Sequence, residues 1–279
     1  MARFSGKVAL ITGSSNGIGR AAAILFAQQG AKVTITGRNA ERLKETRHEI
    51  KKSGIPAENI LAIVADVITD EGQMRLINDT VRKFGHLDIL VNNAGGALMD
   101  AQGRVGMDQD ISVFDNTMQI NMRSVVTLVQ KAKEHLIKSK GEIINVSAMA
   151  AGHHGDPIAT FYGMSKAALD QFTRSSAISL IQHGVRVNSV SPGFTKTGFG
   201  EAMGFPPIAM KKVISFYESH KECAPSGAIA QPGDIAQVIL FLADRTMSSY
   251  IIGQSIIADG GSSLVMGMHA HDMLDILKA

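Results

Sequence analysis

Val8-Ala9-Leu10-Ile11-Thr12-Gly13-Ser14-Ser15-Asn16-Gly17-Ile18-Gly19 is a short apolar run that breaks on a glycine turn and passes into a helical pattern. That order predicts a buried strand, a tight turn and the start of a helix. Gly13 permits the sharp turn, Gly17 lets backbone approach a ligand, and Gly19 lets the helix pack close. Amides left free at a helix start attract an anion, here a diphosphate. The candidate binding loop therefore runs through Gly13, Ser14, Ser15, Asn16, Gly17, Ile18 and Gly19.

The same residues contain Gly13-x-Ser15-x-Gly17, which also matches the nucleophile elbow of serine hydrolases. Position weighs against a hydrolase built on Ser15. Such an enzyme needs earlier strands to supply an oxyanion-hole loop, and only a dozen residues precede this turn.

Working outward, Val8 to Thr12 precedes a helix expected from Ile18 to Gln29, and Lys32 to Thr36 precedes one from Ala40 to Ser53. Ile60 to Val64, Ile89 to Val91, Ile143 to Val146, Val185 to Val190 and Ser255 to Ala258 continue the series. Strands spaced by helices imply βαβ units and a parallel sheet buried on both faces. The expectation is an α/β chain: a single doubly wound Rossmann-type domain spanning residues 1–279, with a seven-stranded parallel sheet and a small helical substrate lid at about 191–231. A segment that long outside the βα rhythm is more often a lid than filler. The tail, about 264–279, carries Met266, Met268, Met273 and Leu274 and is expected to pack on this subunit or a neighbour.

Hydrophobic residues are 45% and charged residues 19% of the chain, a globular balance with no apolar run long enough to cross a bilayer. Net charge is +3, and no basic cluster interleaved with aromatics points to nucleic acid. The start shows no secretory signal, and the lone Cys223 excludes an internal disulfide and a cysteine zinc site, which together suggest the cytoplasm. Adjacent His153 and His154 with Asp156, and His269 with His271, are read as solvated rather than as metal ligands.

A site for NAD needs an acid about 20 residues past the glycines, to bind the adenosine ribose 2′-hydroxyl. The second strand instead ends Thr36-Gly37-Arg38-Asn39. A guanidinium there would hold a 2′-phosphate by charge-assisted hydrogen bonds, so NADP(H) is favoured over NAD(H).

Tyr162-Gly163-Met164-Ser165-Lys166 places a phenol and an ammonium on one face of a helix. A phenol titrates near about 10, and a nearby cation is expected to pull it toward neutrality. A second pair at this spacing, Tyr217 and Lys221, has no strand-end hydroxyl ahead of it and is read as coincidence. Ile144-Asn145-Val146-Ser147, by contrast, ends a strand with a hydroxyl that could donate to a carbonyl while Tyr162 supplies a proton.

With these residues the chain resembles the short-chain dehydrogenase/reductase family, tropinone-reductase-like and other carbonyl-reducing members included. The matching elements are Thr12-x-x-x-Gly-x-Gly19, Asp66-Val67, Asn92-Asn93-Ala94-Gly95, Asn121, Ser147, Tyr162-x-x-x-Lys166 and Pro192-Gly193, from about Gly6 to Gly261. The resemblance implies that Asp66 and Val67 meet the adenine, and that Asn93, Ala94 and Gly95 line the cofactor. It implies that Asn121 holds a water linking Lys166 to solvent, and that Pro192, Gly193 and Thr197 sit at the nicotinamide. Ser147 and Phe194 would meet the substrate, and Asn121, Ser147, Tyr162 and Lys166 would form the catalytic set, with Tyr162 and Lys166 also binding the cofactor and the lysine able to donate to the nicotinamide ribose. The implied activity is hydride transfer between the nicotinamide and a carbonyl or secondary alcohol; the rival reading is a non-catalytic NADP(H) sensor or scaffold of the same fold.

Ser147 and Tyr162 lie fifteen residues apart, two more than the family usually has, and the extra residues are expected to bulge outward. Phe194, Phe199, Met203 and Phe205, with Met149 and Phe161, suggest a lipophilic substrate. Family members assemble as dimers or tetramers through the helices after the fourth and fifth strands. Here the second of these carries Ala159, Gly163, Ala167 and Ala168, which permit close packing in a homodimer or homotetramer.

Overall fold

The computed structural model describes residues 2–152 and 155–265. Seven parallel strands form one sheet: β1 (Val8–Ile11), β2 (Lys32–Gly37), β3 (Ile60–Val64), β4 (Ile89–Asn92), β5 (Glu142–Val146), β6 (Arg186–Pro192) and β7 (Ser255–Ala258). Their order is β3-β2-β1-β4-β5-β6-β7. The chain thus builds outward from β1 to β3 and then returns to the other side of β1. Strand order reverses between β1 and β4, which opens a crevice at their carboxyl ends. Register there pairs Ile11 with Val91, and Asn92 with Asn145.

Apolar alternation along β1 sends Ala9 and Ile11 to one face and Leu10 to the other. The first face packs on α1 (Gly17–Gln28), α2 (Ala40–Lys52) and the later α9 (Pro232–Ala243), through Phe26, Leu43 and Ile239. The second packs on α3 (Asp70–Phe84), α5 (Ser124–Ser139) and α6 (Thr160–Ile181), through Leu76, Leu128 and Leu169. Between β4 and α5 lies α4 (Ile111–Met118), joined to α5 by a single π turn, Gln119–Arg123. After β6 come α7 (Phe199–Ala202) and α8 (Pro207–Ser219), and α10 (Arg245–Ser248) precedes β7.

Local chemistry starts and stops these helices. Asn39 accepts from Arg42 N at the start of α2, and Thr69 from Gly72 N at the start of α3. Acidic Asp70 and Glu71 sit in the first turn of α3 and Arg82 and Lys83 in its last, matching the helix dipole. Pro232 opens α9 within a capping box of Gln231 and Asp234. The expected strands and helices all form, with ends moved by one or two residues. β6 runs on through Pro192, so the segment read as 191–231 leaves the sheet only at Gly193.

Candidate active site

Asn16 caps α1 and its carbonyl takes the Arg20 amide, which leaves the amides of Ser15, Asn16 and Ile18 without a hydrogen-bond partner among the described residues. A Cβ on Gly13 would lie 2.9 Å from Ala94 Cα, and one on Gly19 would collide with Asn93 Nδ2 and the Gly13 carbonyl. The turn is therefore stitched to the end of β4: Asn93 Nδ2 donates to Thr12 O at 2.8 Å, and Thr12 Oγ1 accepts from the amides of Asn93 and Ala94. These spare amides over a cradle that only glycines leave open fit the diphosphate of a dinucleotide.

Ser14 lies elsewhere than expected. It is fully buried, its hydroxyl donates to Ile11 O and accepts from Thr36 N, and its amide donates to Thr36 O. Its polar groups tie β1 to β2, so the turn offers a ligand Ser15 rather than Ser14. Ser15 Oγ rests on Gly37, where a Cβ would come within 2.7 Å of it. No histidine hydrogen-bonds Ser15 among the described residues, so the hydrolase reading lacks a base. Arg38 follows Gly37, exposed and free of side-chain hydrogen bonds and ion pairs among the described residues. Asp66 leaves β3 on the same side: Ala65 N donates to Gly37 O, and Asp66 Oδ1 accepts from Ile68 N. Val67 beside it is buried.

At the end of β5, Ser147 is 3% exposed, and its hydroxyl donates to Lys166 O at 3.3 Å. Lys166, one turn after Tyr162 on α6, is 4% exposed and donates from Nζ to Val146 O at 2.8 Å. Nζ lies 5.7 Å from the centre of the Tyr162 ring. Ser147, Tyr162 and Lys166 thus meet where β5 delivers the first onto the turn of α6 that carries the others. Lys221 falls after α8 ends at Ser219, so Tyr217 and Lys221 share no helix face, and Tyr217 packs edge-on against Phe194.

The electrostatics correct one expectation. The Lys166 ammonium was expected to lower the Tyr162 phenol, but burial pushes that phenol above its usual value. The reason is geometric: Nζ is bound to the Val146 carbonyl rather than to the phenol, and desolvation disfavours the phenolate. Burial also pulls Lys166 down to about 8, against the Asp170 carboxylate, which pulls it up.

Asn121 sits inside the π turn, fully buried. Its side chain is wholly engaged: Oδ1 accepts from Gly96 N, and Nδ2 donates to Gly96 O and Ser165 Oγ. Gly95 is trapped beside it, since a Cβ there would lie 2.7 Å from Asn121 Oδ1 and 3.3 Å from Lys166 Nζ. Any water relay at Asn121 would have to use its backbone. π turns disturb the regular helix ladder and recur at functional sites.

Several participants escaped the sequence reading. Asn92 Nδ2 donates to Asn145 Oδ1, and Asn145 Nδ2 to Thr173 Oγ1, a buried chain that joins β4, β5 and α6 beneath the site. Asn145 in the otherwise apolar Ile143-Ile144-Asn145-Val146 was its visible signal. Phe161 is buried edge-on against Phe114 and belongs to the core, not to a pocket. Asp156 Oδ1 accepts from the amides of Ile158 and Ala159 and so shapes the loop before α6. His153, His154, His269, His271 and the tail from Met266 onward lie outside the described residues.

Pro192 ends β6 and Gly193 N donates to Ala258 O. Thr197 then returns to the glycine turn, its Cγ2 packing where a Cβ on Gly17 would sit. A cleft of about 940 Å³ opens between Leu98–Arg104, α4 and residues 202–204. Ser147 and Tyr162 do not line it, but Phe199, whose ring lies 5.7 Å from that of Tyr162, begins the short helix leading to its wall.

A family model described as enoyl-(acyl carrier protein) reductase matches residues 13–263. The chain is 37% identical over 261 residues to a 3-oxoacyl-(acyl-carrier-protein) reductase of Thermotoga maritima, covering 93% of this chain and 98% of that protein. Among solved structures, a short-chain dehydrogenase/reductase of unknown function from Caenorhabditis elegans, crystallised with cofactor, superposes with a TM-score of 0.95. It is 56% identical and covers 97% of this chain and 100% of its own. A glucose dehydrogenase of Caenorhabditis elegans in the apo form follows at TM-score 0.82 and 52% identity, covering 94% of this chain and 100% of its own.

Sheet order, glycine turn and relatives together define an oxidoreductase that transfers hydride to or from a nicotinamide cofactor. The chain belongs to the short-chain dehydrogenase/reductase family, whose members act on CH–OH groups with NAD(P).

Proposed function

We propose that this protein is an NADP(H)-dependent carbonyl reductase, or secondary alcohol dehydrogenase in the reverse direction, with Ser147, Tyr162 and Lys166 as its working residues and Asn121 in support. The observation that carries the reading is the placement of the Ser147 hydroxyl and the Lys166 side chain on one turn of α6 with Tyr162, at the mouth of the crevice. The bound nicotinamide supplies or accepts the hydride. Ser147 donates a hydrogen bond to the carbonyl oxygen, and Tyr162 gives that oxygen its proton as charge develops there. Burial keeps the phenol protonated, which suits an acid, and Lys166 Nζ lies 5.7 Å from the centre of its ring. The Asn121 backbone would hold a water that passes the proton on to solvent.

In this reading the cofactor is held by the turn Gly13–Gly19 without the Ser14 side chain, by Arg38, Asp66, Val67, Asn93–Gly95, Pro192, Gly193 and Thr197, and by Tyr162 and Lys166. Exposed Arg38 and the missing acid beside it favour NADP(H) over NAD(H). The segment after β6, with α7 and α8, serves as the substrate lid of one Rossmann-type domain.

Relatives share the hydride chemistry and differ in substrate, acyl carrier thioester in one name and glucose in another. Phe199 favours an apolar body near Tyr162, while the cleft beyond presents Ser112 and Asn116 to an oxygen on the same molecule. Exposed Met164 and Ile178 on α6 support pairing of copies through α5 and α6, and a monomeric mass by light scattering would refute that. The single Cys223 suits a cytoplasmic location.

The deciding experiment follows NADPH oxidation over a panel of ketones, diketones, quinones and sugars, with Tyr162→Phe beside the parent. The variant should bind cofactor and lose turnover by about two to four orders of magnitude. Near-normal turnover would overturn the mechanism.

A further inference from the structure

Arg20 lies one residue past the glycine turn, on α1, and it spends two nitrogens on four acceptors. Nη2 donates to the Ser15 carbonyl at 2.6 Å, to Glu45 Oε2 at 2.9 Å and to Arg42 O at 3.2 Å. Nε donates to Thr46 Oγ1 at 2.9 Å. Thr46 is fully buried on α2, and its hydroxyl reaches back to the Ser14 carbonyl at 3.0 Å. The Ser14 and Ser15 carbonyls are therefore held by a hydroxyl on α2 and by an α1 cation that bonds to α2.

We propose that Arg20, with Thr46, is a positioning residue for cofactor choice: it fixes the Ser15 peptide so that Ser15 Oγ rests on Gly37 beside Arg38, forming the subsite for a 2′-phosphate on the adenosine ribose. The inference rests on the NADP(H) reading above. A carbonyl clamped at 2.6 Å cannot rotate, and the direction of the Ser15 side chain is set with it. Gly37 completes the fit, because a Cβ there would strike Ser15 Cβ and Oγ at 2.9 and 2.7 Å. Ser15 Oγ and Arg38 make no side-chain hydrogen bond among the described residues, so both are unspent where the phosphate would arrive. The Asn16 amide shares the peptide whose carbonyl Arg20 holds, so both cofactors feel its loss at the diphosphate, while the 2′-phosphate alone also loses Ser15 Oγ. Disturbing Arg20 should thus cost NADP more than NAD. The Arg20 charge is itself met by Glu45, while Arg38 has no ion pair among the described residues.

The test is calorimetric titration of the full chain with NADP⁺ and with NAD⁺, which needs no substrate. The variants are Arg20→Met, Arg20→Lys, Thr46→Val, Arg38→Ser and the double Arg20→Met with Glu45→Gln. Arg20→Met should raise the dissociation constant for NADP⁺ about tenfold or more and that for NAD⁺ less than about threefold. Arg20→Lys should recover part of the loss, and Thr46→Val should move in the same direction. The double variant removes the carboxylate that Arg20→Met leaves unpaired, and it should keep most of the loss. Full recovery there would replace positioning by simple repulsion and overturn the inference. Equal weakening for both cofactors would also overturn it, making Arg20 a general support of the turn. A parent that prefers NAD⁺ overturns the cofactor reading, and the inference with it. A parent preference for NADP⁺ that Arg38→Ser abolishes but Arg20→Met leaves intact overturns the inference alone. If Arg20→Met does not fold, Arg20→Lys and Thr46→Val decide by the same ratio.

Discussion

Asn121 Nδ2 donates to Ser165 Oγ at 2.9 Å, and Ser165 Oγ in turn donates to the Tyr162 carbonyl at 2.7 Å. Through that link the π turn between α4 and α5 grips the first turn of α6, while its other bonds grip Gly96 after β4. The strand end that faces the cofactor and the helix that carries the phenol are held by one amide.

Asn121→Ala should therefore damage geometry and stability together. It leaves the part-buried Gly96 amide and carbonyl without their Asn121 partners, at a cost of about 1–3 kcal/mol. Urea denaturation would show the loss, and kcat should fall more than KM rises. Unchanged stability would mean that water replaces the side chain at no cost.

Lys166 gives a pH dependence with a definite sign. Burial holds it at about 8 against its ordinary 10.5, so between those values the unfolded chain carries a proton that the folded one lacks. This group therefore destabilises the fold below about pH 8, and the penalty fades as pH rises toward 10.5. Cofactor binding that uses the ammonium as a donor must run the other way: affinity should hold up to about pH 8 and weaken above it. Calorimetry across pH 7 to 9.5 checks this, and Lys166→Met should flatten the profile.

Gly95→Ala places a methyl group 2.7 Å from Asn121 Oδ1 and 3.3 Å from Lys166 Nζ. Asn121 is anchored by three hydrogen bonds and has little room to give way. We expect kcat/KM to drop about tenfold or more with a lower melting temperature. Parent-like kinetics would show that the contact relaxes.

A buried ion cluster at the opposite end of the sheet offers a control far from the chemistry. Glu142, at the start of β5, pairs with Arg186 at 2.9 Å and also with Arg245. Arg186→Met leaves the carboxylate with only the half-exposed Arg245, and should cost about 3–5 kcal/mol of stability. The cofactor dissociation constant of the folded variant, read by calorimetry, should stay near that of the parent.

Much of this was legible in the chain. Strand and helix positions follow from apolar periodicity and glycine turns, which are local, and Ser147, Tyr162 and Lys166 were marked by their places on those elements. Less local relationships were not. Arg20 reads as an ordinary surface cation until α2 folds back to bring Thr46 and Glu45 to it. Asn145 reads as an odd polar residue in an apolar strand until Asn92 and Thr173 reach it from 53 and 28 residues away. Ser14 reads as one more residue of the binding loop until Thr36 of β2 comes beside it and takes its hydroxyl.

The sequence by itself determined the order of the elements, the parallel sheet and the three residues at its carboxyl edge. These depend on side-chain period, turn chemistry and spacing along the chain. Only the tertiary structure decided that the Tyr162 phenol is pushed up rather than drawn down, and that the Asn121 side chain serves as a clamp. Desolvation and buried hydrogen bonding are set by what packs around a group in space, and for Tyr162 and Asn121 those neighbours include Gly96 after β4, Ser165 on α6 and Phe199 on α7.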